Sequence, residues 1–271
     1  MVKDITLGQY FPGNSFVHKL DPRAKLIITV FSLVEIFLCK NFYSLALVFG
    51  FSVVSILISK ISFKTVFKGL KMIYLIIVLT SILQIFYNKD GTVLVDWWKI
   101  KITTSGVFTA IFMAVRIISL IFISSLLTYT TSPTTLTDGL ERLLSPLKKI
   151  HIPVDTLAMM MTIALRFIPT LIEEIDKIMN AQKARGADLD SGNIVQRAKA
   201  LIPIFIPLFV NSFRRAYELA FAMECRCYNG SSKRTRMKKM KFSWRDGAAF
   251  LFIIVMLVAV ILLNHFFGAV I

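Results

Sequence analysis

Very little in this chain can carry out chemistry. Its three histidines, His18, His151 and His265, stand far apart with no evident nucleophile or partner beside them, and they suit the edges of a membrane. No G-x-x-x-x-G-K-[ST] stretch is present, so nothing cradles nucleotide phosphates. No H-E-x-x-H and no paired C-x-x-C element offers a metal site, and Cys225-x-Cys227 has the wrong spacing and no nearby histidine. Paired aspartates of the kind that lipid transferases use to hold magnesium are missing too. No catalytic residue, metal or cofactor is therefore expected. Three cysteines, Cys39, Cys225 and Cys227, cannot form a disulfide framework, and the pair around Arg226 should stay reduced in a cytoplasmic setting. The opening Met1-Val2-Lys3-Asp4 leads into Gly8, Pro12, Gly13 and Asn14 rather than a short apolar core, so no cleavable signal peptide is expected.

Charge is also scarce, at 18% of residues, while 56% are hydrophobic and the mean hydropathy is +0.69, which a soluble domain of this length rarely shows. The apolar residues are clustered. Leu26 to Cys39, Phe42 to Ile58, Met72 to Tyr87 and Gly106 to Tyr129 are nearly uninterrupted blocks, and a fifth runs from Ala248 to Ile271, broken by Asn264 and His265. A helix needs roughly 20 such residues to cross a bilayer, with about 17 as the lower end. The last two blocks qualify comfortably and the first three are short. The expectation is an all-α, multi-pass cell-membrane protein of about five transmembrane helices with a helical cytoplasmic coupling region.

Acidic residues are fewer still: 16 against 32 Lys and Arg, a net charge of +16. The placement of that excess gives a topology. Lys19, Arg23 and Lys25 precede the first block, and Lys60, Lys64, Lys68 and Lys71 separate the second from the third. Arg226, Lys233, Arg234, Arg236, Lys238, Lys239, Lys241 and Arg245 precede the last. The intervening turns carry Lys40 alone, then Lys89, Asp90, Asp96, Lys99 and Lys101. Loops rich in Lys and Arg face the cytoplasm, so the N-terminus is expected inside and the C-terminus outside. Nucleic-acid binding is the other use of so basic a chain. Here the basic residues sit at membrane edges, and no nucleic-acid partner is expected.

Three segments follow from this pattern: a membrane part of about four helices over 1–131, a cytoplasmic coupling part over 132–243, and a C-terminal transmembrane helix over 244–271. In the middle segment Ser132-Pro133 starts a short helix striped by Leu136, Leu140, Leu143 and Leu144, which ends near Ser145-Pro146. A second helix begins near Pro153 and runs toward Gly186, a residue that tolerates the left-handed turn after a helix. It is apolar nearly all round over Leu157 to Ile172, with Arg166 inside and a bend expected at Pro169. Its second half is mixed. A third helix runs from about Ile194 past Pro203 and Pro207 to Cys227 and repeats that gradient. Phe167-Ile168-Pro169 recurs as Phe205-Ile206-Pro207, and each helix closes on an arginine between small residues: Ala184-Arg185-Gly186 and Cys225-Arg226-Cys227. The pattern suggests a pseudo-symmetric pair.

A guanidinium is permanently charged, planar and rich in donors, so it suits a groove lined by carboxylates or carbonyls. One arginine at a helix C-terminus needs no more than the helix dipole, worth ~0.3–1 kcal/mol, to explain it. Two such arginines, each flanked by small residues that leave the head group open, favour docking. Arg116 lies within the fourth block. A charge there is costly and is usually paired or functional, with Glu35 as its possible ion-pair partner and snorkelling as the alternative. Arg166 raises the same question. Met159-Met160-Met161 suits either a variable partner face or ordinary helix packing.

These residues resemble the transmembrane T component of energy-coupling factor (ECF) transporters, a branch of ATP-binding-cassette importers. The likeness is carried by His18-Lys19-Leu20-Asp21-Pro22-Arg23-Ala24-Lys25-Leu26, by Ala181-Gln182-Lys183-Ala184-Arg185-Gly186 and by Glu224-Cys225-Arg226-Cys227-Tyr228, with Arg166-Phe167-Ile168-Pro169 in support. Cysteine beside Arg226 departs from the usual Ala or Gly but keeps the site small. The resemblance implies two ATPase subunits that each receive one arginine-tipped helix end and bind the ATP themselves. It also implies a separate small membrane protein that captures the vitamin or metal ion and is reoriented when the ATPases close. The competing reading is a self-contained permease or channel. It would need polar groups converging at mid-membrane, for which only Glu35, Gln84 and Arg116 are available.

Overall fold

The computed structural model describes residues 10–87, 92–97, 100–187, 193–230 and 240–268. The opening Met1-Val2-Lys3-Asp4, the charges Lys89, Asp90 and Lys99, and the basic residues Lys233, Arg234, Arg236, Lys238 and Lys239 lie outside those stretches. Eight α-helices are described: α1 (Pro22–Leu38), α2 (Phe42–Ser59), α3 (Phe63–Tyr87), α4 (Thr104–Thr130), α5 (Pro133–Leu144), α6 (Val154–Ala184), α7 (Ile194–Cys225) and α8 (Trp244–Phe266). A 3₁₀ turn (Ser145–Ile150) follows α5. The all-α expectation holds, with one addition. Strands β1 (Val93–Trp97) and β2 (Ile100–Thr103) pair antiparallel between α3 and α4, with Trp97 opposite Ile100.

By length and composition α2, α4, α6 and α8 can cross a membrane, and α3 is a fifth if its 60° bend between Lys71 and Ile73 lies within one span. The number agrees with the sequence reading but the membership differs. Helix α1 has 17 residues, and α6, expected in the cytoplasmic coupling part, is apolar enough to qualify.

The chain forms two compact units. One holds the described residues of 10–142 and 240–268, so that α8 packs on α1 and α2. The helix starts in this unit are set by side chains that take up backbone N–H groups with no partner inside the helix. Asp21 accepts from Arg23 N ahead of Pro22, Asn41 from Ser44 N, and Thr103 from Gly106 N. The core joins Ile36, Leu45, Val48, Phe112, Ile123, Met256 and Val260. Buried serines let these helices approach closely and return their hydroxyls to helix carbonyls, Ser52 to Phe49 O and Ser119 to Val115 O. Gly139 of α5 serves the same end, since a Cβ there would meet Pro22 Cβ at 3.1 Å.

The segment before α1 is tied down by His18. Its Nε2 lies 2.9 Å from the Phe11 carbonyl and its Nδ1 2.7 Å from Ser15 Oγ. A carbonyl only accepts, so Nε2 carries the proton and Nδ1 accepts from the serine hydroxyl. Burial lowers the His18 pKa and the charge on Lys25 lowers it further, against the Phe11 bond, which raises it. The fold thus opposes protonation. This tie is fully present above the ordinary imidazole value of about 6.5. It weakens below that pH and is lost as pH falls through the lowered value of His18. Hydrogen exchange over residues 10–20 is expected to accelerate on acidification, and His18→Gln, which cannot protonate, is expected to remove the pH dependence.

Candidate functional site

The second unit contains α6 and α7, and the two helices stop in the same way. At the end of α6, Gly186 N donates to Lys183 O at 3.0 Å and Ala187 N to Gln182 O at 3.0 Å. At the end of α7, Cys227 N donates to Glu224 O at 2.8 Å and Tyr228 N to Met223 O at 3.0 Å. Both are Schellman closures, and in each the residue after the cap is left-handed: Gly186 at φ +82° and Cys227 at φ +57°. The cap residues are Arg185 and Arg226. Two helices of different sequence therefore present an arginine at the same position of the same motif.

Both arginines are exposed, as are Ala184, Gly186, Cys225 and Cys227 around them. Among the described residues neither guanidinium has a hydrogen-bond or ion-pair partner. Each leaves all its donors free beside the negative end of a helix dipole, a location that favours a cation and costs the fold nothing.

A polar tie missing from the sequence reading holds the two helices together. Asn211 Nδ2 donates to Glu174 Oε1 at 3.0 Å and Arg215 Nη2 to Glu174 Oε2 at 2.8 Å. Aligning the helices on their closing arginines exposes the signal, because Glu174 precedes Arg185 by the same eleven residues that separate Arg215 from Arg226. An open apolar groove of ≈ 420 Å³ lies along α7 and is lined by Phe205, Ile206, Leu208, Phe209, Val210 and Ser212. On α6, Arg166 and the neighbouring Met160 and Met161 are exposed.

The expected Glu35–Arg116 ion pair is not formed. Arg116 Nη2 donates to the Cys39 carbonyl at 2.6 Å, and the guanidinium lies over the Phe112 ring, 4.7 Å from its centroid. Cys39 caps α1, where carbonyls lack intrahelical partners and the dipole is negative, so a helix end supplies what the carboxylate was expected to supply. Glu35 is fully buried, and neither of its carboxylate oxygens has a hydrogen-bond partner. The same α1–α2 turn is held by α8: Asn264 Nδ2 donates to Leu38 O at 2.7 Å and Asn41 Nδ2 to Leu263 O at 2.9 Å. Asn264, which interrupts an apolar block in sequence, is thus a helix-end fastener.

The family model described as "Cobalt transport protein" (CbiQ) matches residues 13–240. The chain is 51% identical over 269 residues to the energy-coupling factor transporter transmembrane protein EcfT of Clostridium kluyveri, spanning 99% of this chain and 100% of the relative. It is 53% identical over 247 residues to the protein of that name from Brevibacillus brevis, spanning 91% and 93%. A third, from Staphylococcus aureus, is 42% identical over 265 residues, spanning 98% and 99%.

Proposed function

The chain belongs to the cobalt transport protein family and, within it, to the EcfT transmembrane components of energy-coupling factor transporters, and from that premise we propose that it couples two ABC-type ATPase subunits to a small membrane capture subunit. As the transmembrane component it is a multi-pass membrane protein and not the ATPase subunit. In this reading Arg185 and Arg226 each enter a surface groove of one ATPase, with Ala184, Gly186, Cys225 and Cys227 leaving room for close approach. ATP is bound by the partners, and closure of the ATPases displaces the ends of α6 and α7. The apolar groove along α7 supplies a face for the capture subunit, which is reoriented to release a vitamin or metal ion inside. The N-terminus is cytoplasmic and the C-terminus outside.

The observation that carries this reading is the pair of matched helix closures, each leaving one exposed arginine with no partner among the described residues. A self-contained permease would need converging polar groups, and Glu35 and Arg116 do not meet. The test is co-purification of the two ATPases from membranes with the wild type, Arg185→Ala, Arg226→Ala and the double variant. Each single substitution is expected to reduce recovery and the double to reduce it further. Full recovery with the double variant at normal membrane levels would show that the arginines are ordinary helix-end residues.

A further inference from the structure

We propose that Glu174, Asn211 and Arg215 form a pin between α6 and α7 that makes the two arginine-tipped ends move as equal levers; this rests on the docking reading above. The Glu174 carboxylate receives Asn211 on one oxygen and Arg215 on the other. Residues 211 and 215 are one turn apart on the same face of α7, so the carboxylate straddles a full turn. That arrangement resists sliding along α7 as well as separation from it. The carboxylate side is the more sheltered, with 18% of the Glu174 side chain exposed against 38% for Arg215.

The pin sits at matched height. Eleven residues separate it from each docking arginine, or about 16 Å of helix at ~1.5 Å per residue. Glu174 and Arg215 are thus equivalent positions of the repeat carrying opposite charges, an arrangement that a pair joined about a pseudo-two-fold would need. Stiffness is distributed to match. Between the pin and each tip there is neither Gly nor Pro, whereas Pro169, Pro203 and Pro207 all lie on the other side of it. Each proline removes a backbone donor from the helix interior and eases bending there. A change of about 10° in the angle between the levers would change the tip-to-tip distance by up to roughly 3 Å over that length. Without the pin, a displacement at one arginine is absorbed by sliding of α6 on α7.

Glu174, Asn211 and Arg215 are positioning residues, so the test reads the tips. In the complete complex in lipid nanodiscs, p-acetylphenylalanine replaces Lys183 and Glu224, each two residues before its arginine, and carries a hydroxylamine nitroxide, leaving all three cysteines in place. Pulsed electron-electron resonance then gives the tip-to-tip distance with and without a non-hydrolysable ATP analogue. With the pin intact, the distribution is expected to be narrow and to shift with nucleotide. Glu174→Arg and Arg215→Glu are each expected to broaden it at least twofold and abolish the shift while the ATPases still co-purify. The Glu174→Arg/Arg215→Glu swap is expected to restore both features, since Asn211 can accept as well as donate. Wild-type behaviour in the single reversals, or failure of the swap to restore it, overturns the pin. If the reversals do not accumulate, Glu174→Gln and Arg215→Gln are read instead, and unchanged distributions in both overturn it equally. Should the ATPases bind regardless of Arg185 and Arg226, the docking reading fails. The pin is still read from the width of the nucleotide-free distribution.

Discussion

Arg185→Glu/Arg226→Glu is expected to reach the membrane at wild-type levels and to retain at least a hundredfold less of both ATPases. Neither guanidinium is bonded within the described structure and both are exposed, so the substitutions remove no contact that folding uses. The cost to α6 and α7 is the dipole preference at each end, ~0.3–1 kcal/mol, with the sign now reversed. The cost at the partner is larger. Losing a hydrogen bond to a charged group is worth ~1.5–3 kcal/mol at each site, and a carboxylate placed in a groove that selects arginine adds repulsion. Two sites together remove roughly 3–6 kcal/mol, and each 1.4 kcal/mol is about tenfold in affinity. The single reversals should fall between, because the remaining arginine still tethers the assembly. Arg→Lys at both positions keeps the charge but loses the planar fork, so an intermediate loss is expected there. Quantitative immunoblotting of co-purified ATPases, normalised to the membrane level of this chain, decides the matter. Undiminished recovery in the double reversal would remove the arginines from any docking role.

How far such a site can be read from sequence depends on which physical signal it leaves. The end of α6 was legible because Gly186 announces a left-handed residue. The end of α7 gave no such signal, since Cys227 takes the same φ at the steric cost of a Cβ. It is marked instead by an arginine between small residues, Cys225-Arg226-Cys227, as at the end of α6. The tie between the helices is hidden in an alignment of the repeat on Phe-Ile-Pro. That alignment shifts α7 by about one turn and hides the equivalence of Glu174 and Arg215. The error over Glu35 and Arg116 has a different origin. Sequence shows the charged side chains but not the backbone carbonyls at a helix end, and the Cys39 carbonyl was the better acceptor. Hairpin residues Val93, Val95, Ile100 and Ile102 are β-branched, a short strand signal set among charges that by themselves speak only to topology. Helix membership of the membrane set turned on length. Seventeen residues left α1 at the lower limit, while the apolar half of α6 was long enough to qualify despite the charges that follow it.

Asp246→Ala is expected to cost about 3–5 kcal/mol of stability, the range for removing one partner from a buried charged network. Asp246 is 1% exposed at the first turn of α8. Its Oδ1 accepts from Asp21 N at 2.8 Å and its Oδ2 from Ser243 N at 2.7 Å, so one carboxylate closes the start of α8 and holds the residue that caps α1. Truncation strands the Asp21 N–H in a buried site, opens the half-sheltered bond at the exposed Ser243, and removes the acid favoured at a helix N-terminus. It also removes the negative charge felt by the buried Lys25, whose Nζ is held by the His18 and Thr130 carbonyls. Asp21 has a second support: burial works against its carboxylate, but the Arg23 bonds outweigh that and hold its pKa below the usual range. The joint therefore fails at its backbone donors before it fails at the Asp21–Arg23 pair. Asp246→Asn keeps one acceptor oxygen and should cost about 1–2 kcal/mol, near the worth of a single hydrogen bond. Thermal unfolding in lipid, with hydrogen exchange followed at residues 10–25, measures both variants, and a loss under ~1 kcal/mol for the alanine would refute the account. Arg185 and Arg226 belong to the other compact unit. The ATPases recovered per folded molecule should therefore stay constant in these variants while the yield of folded protein drops, which separates a failure of folding from a failure of docking.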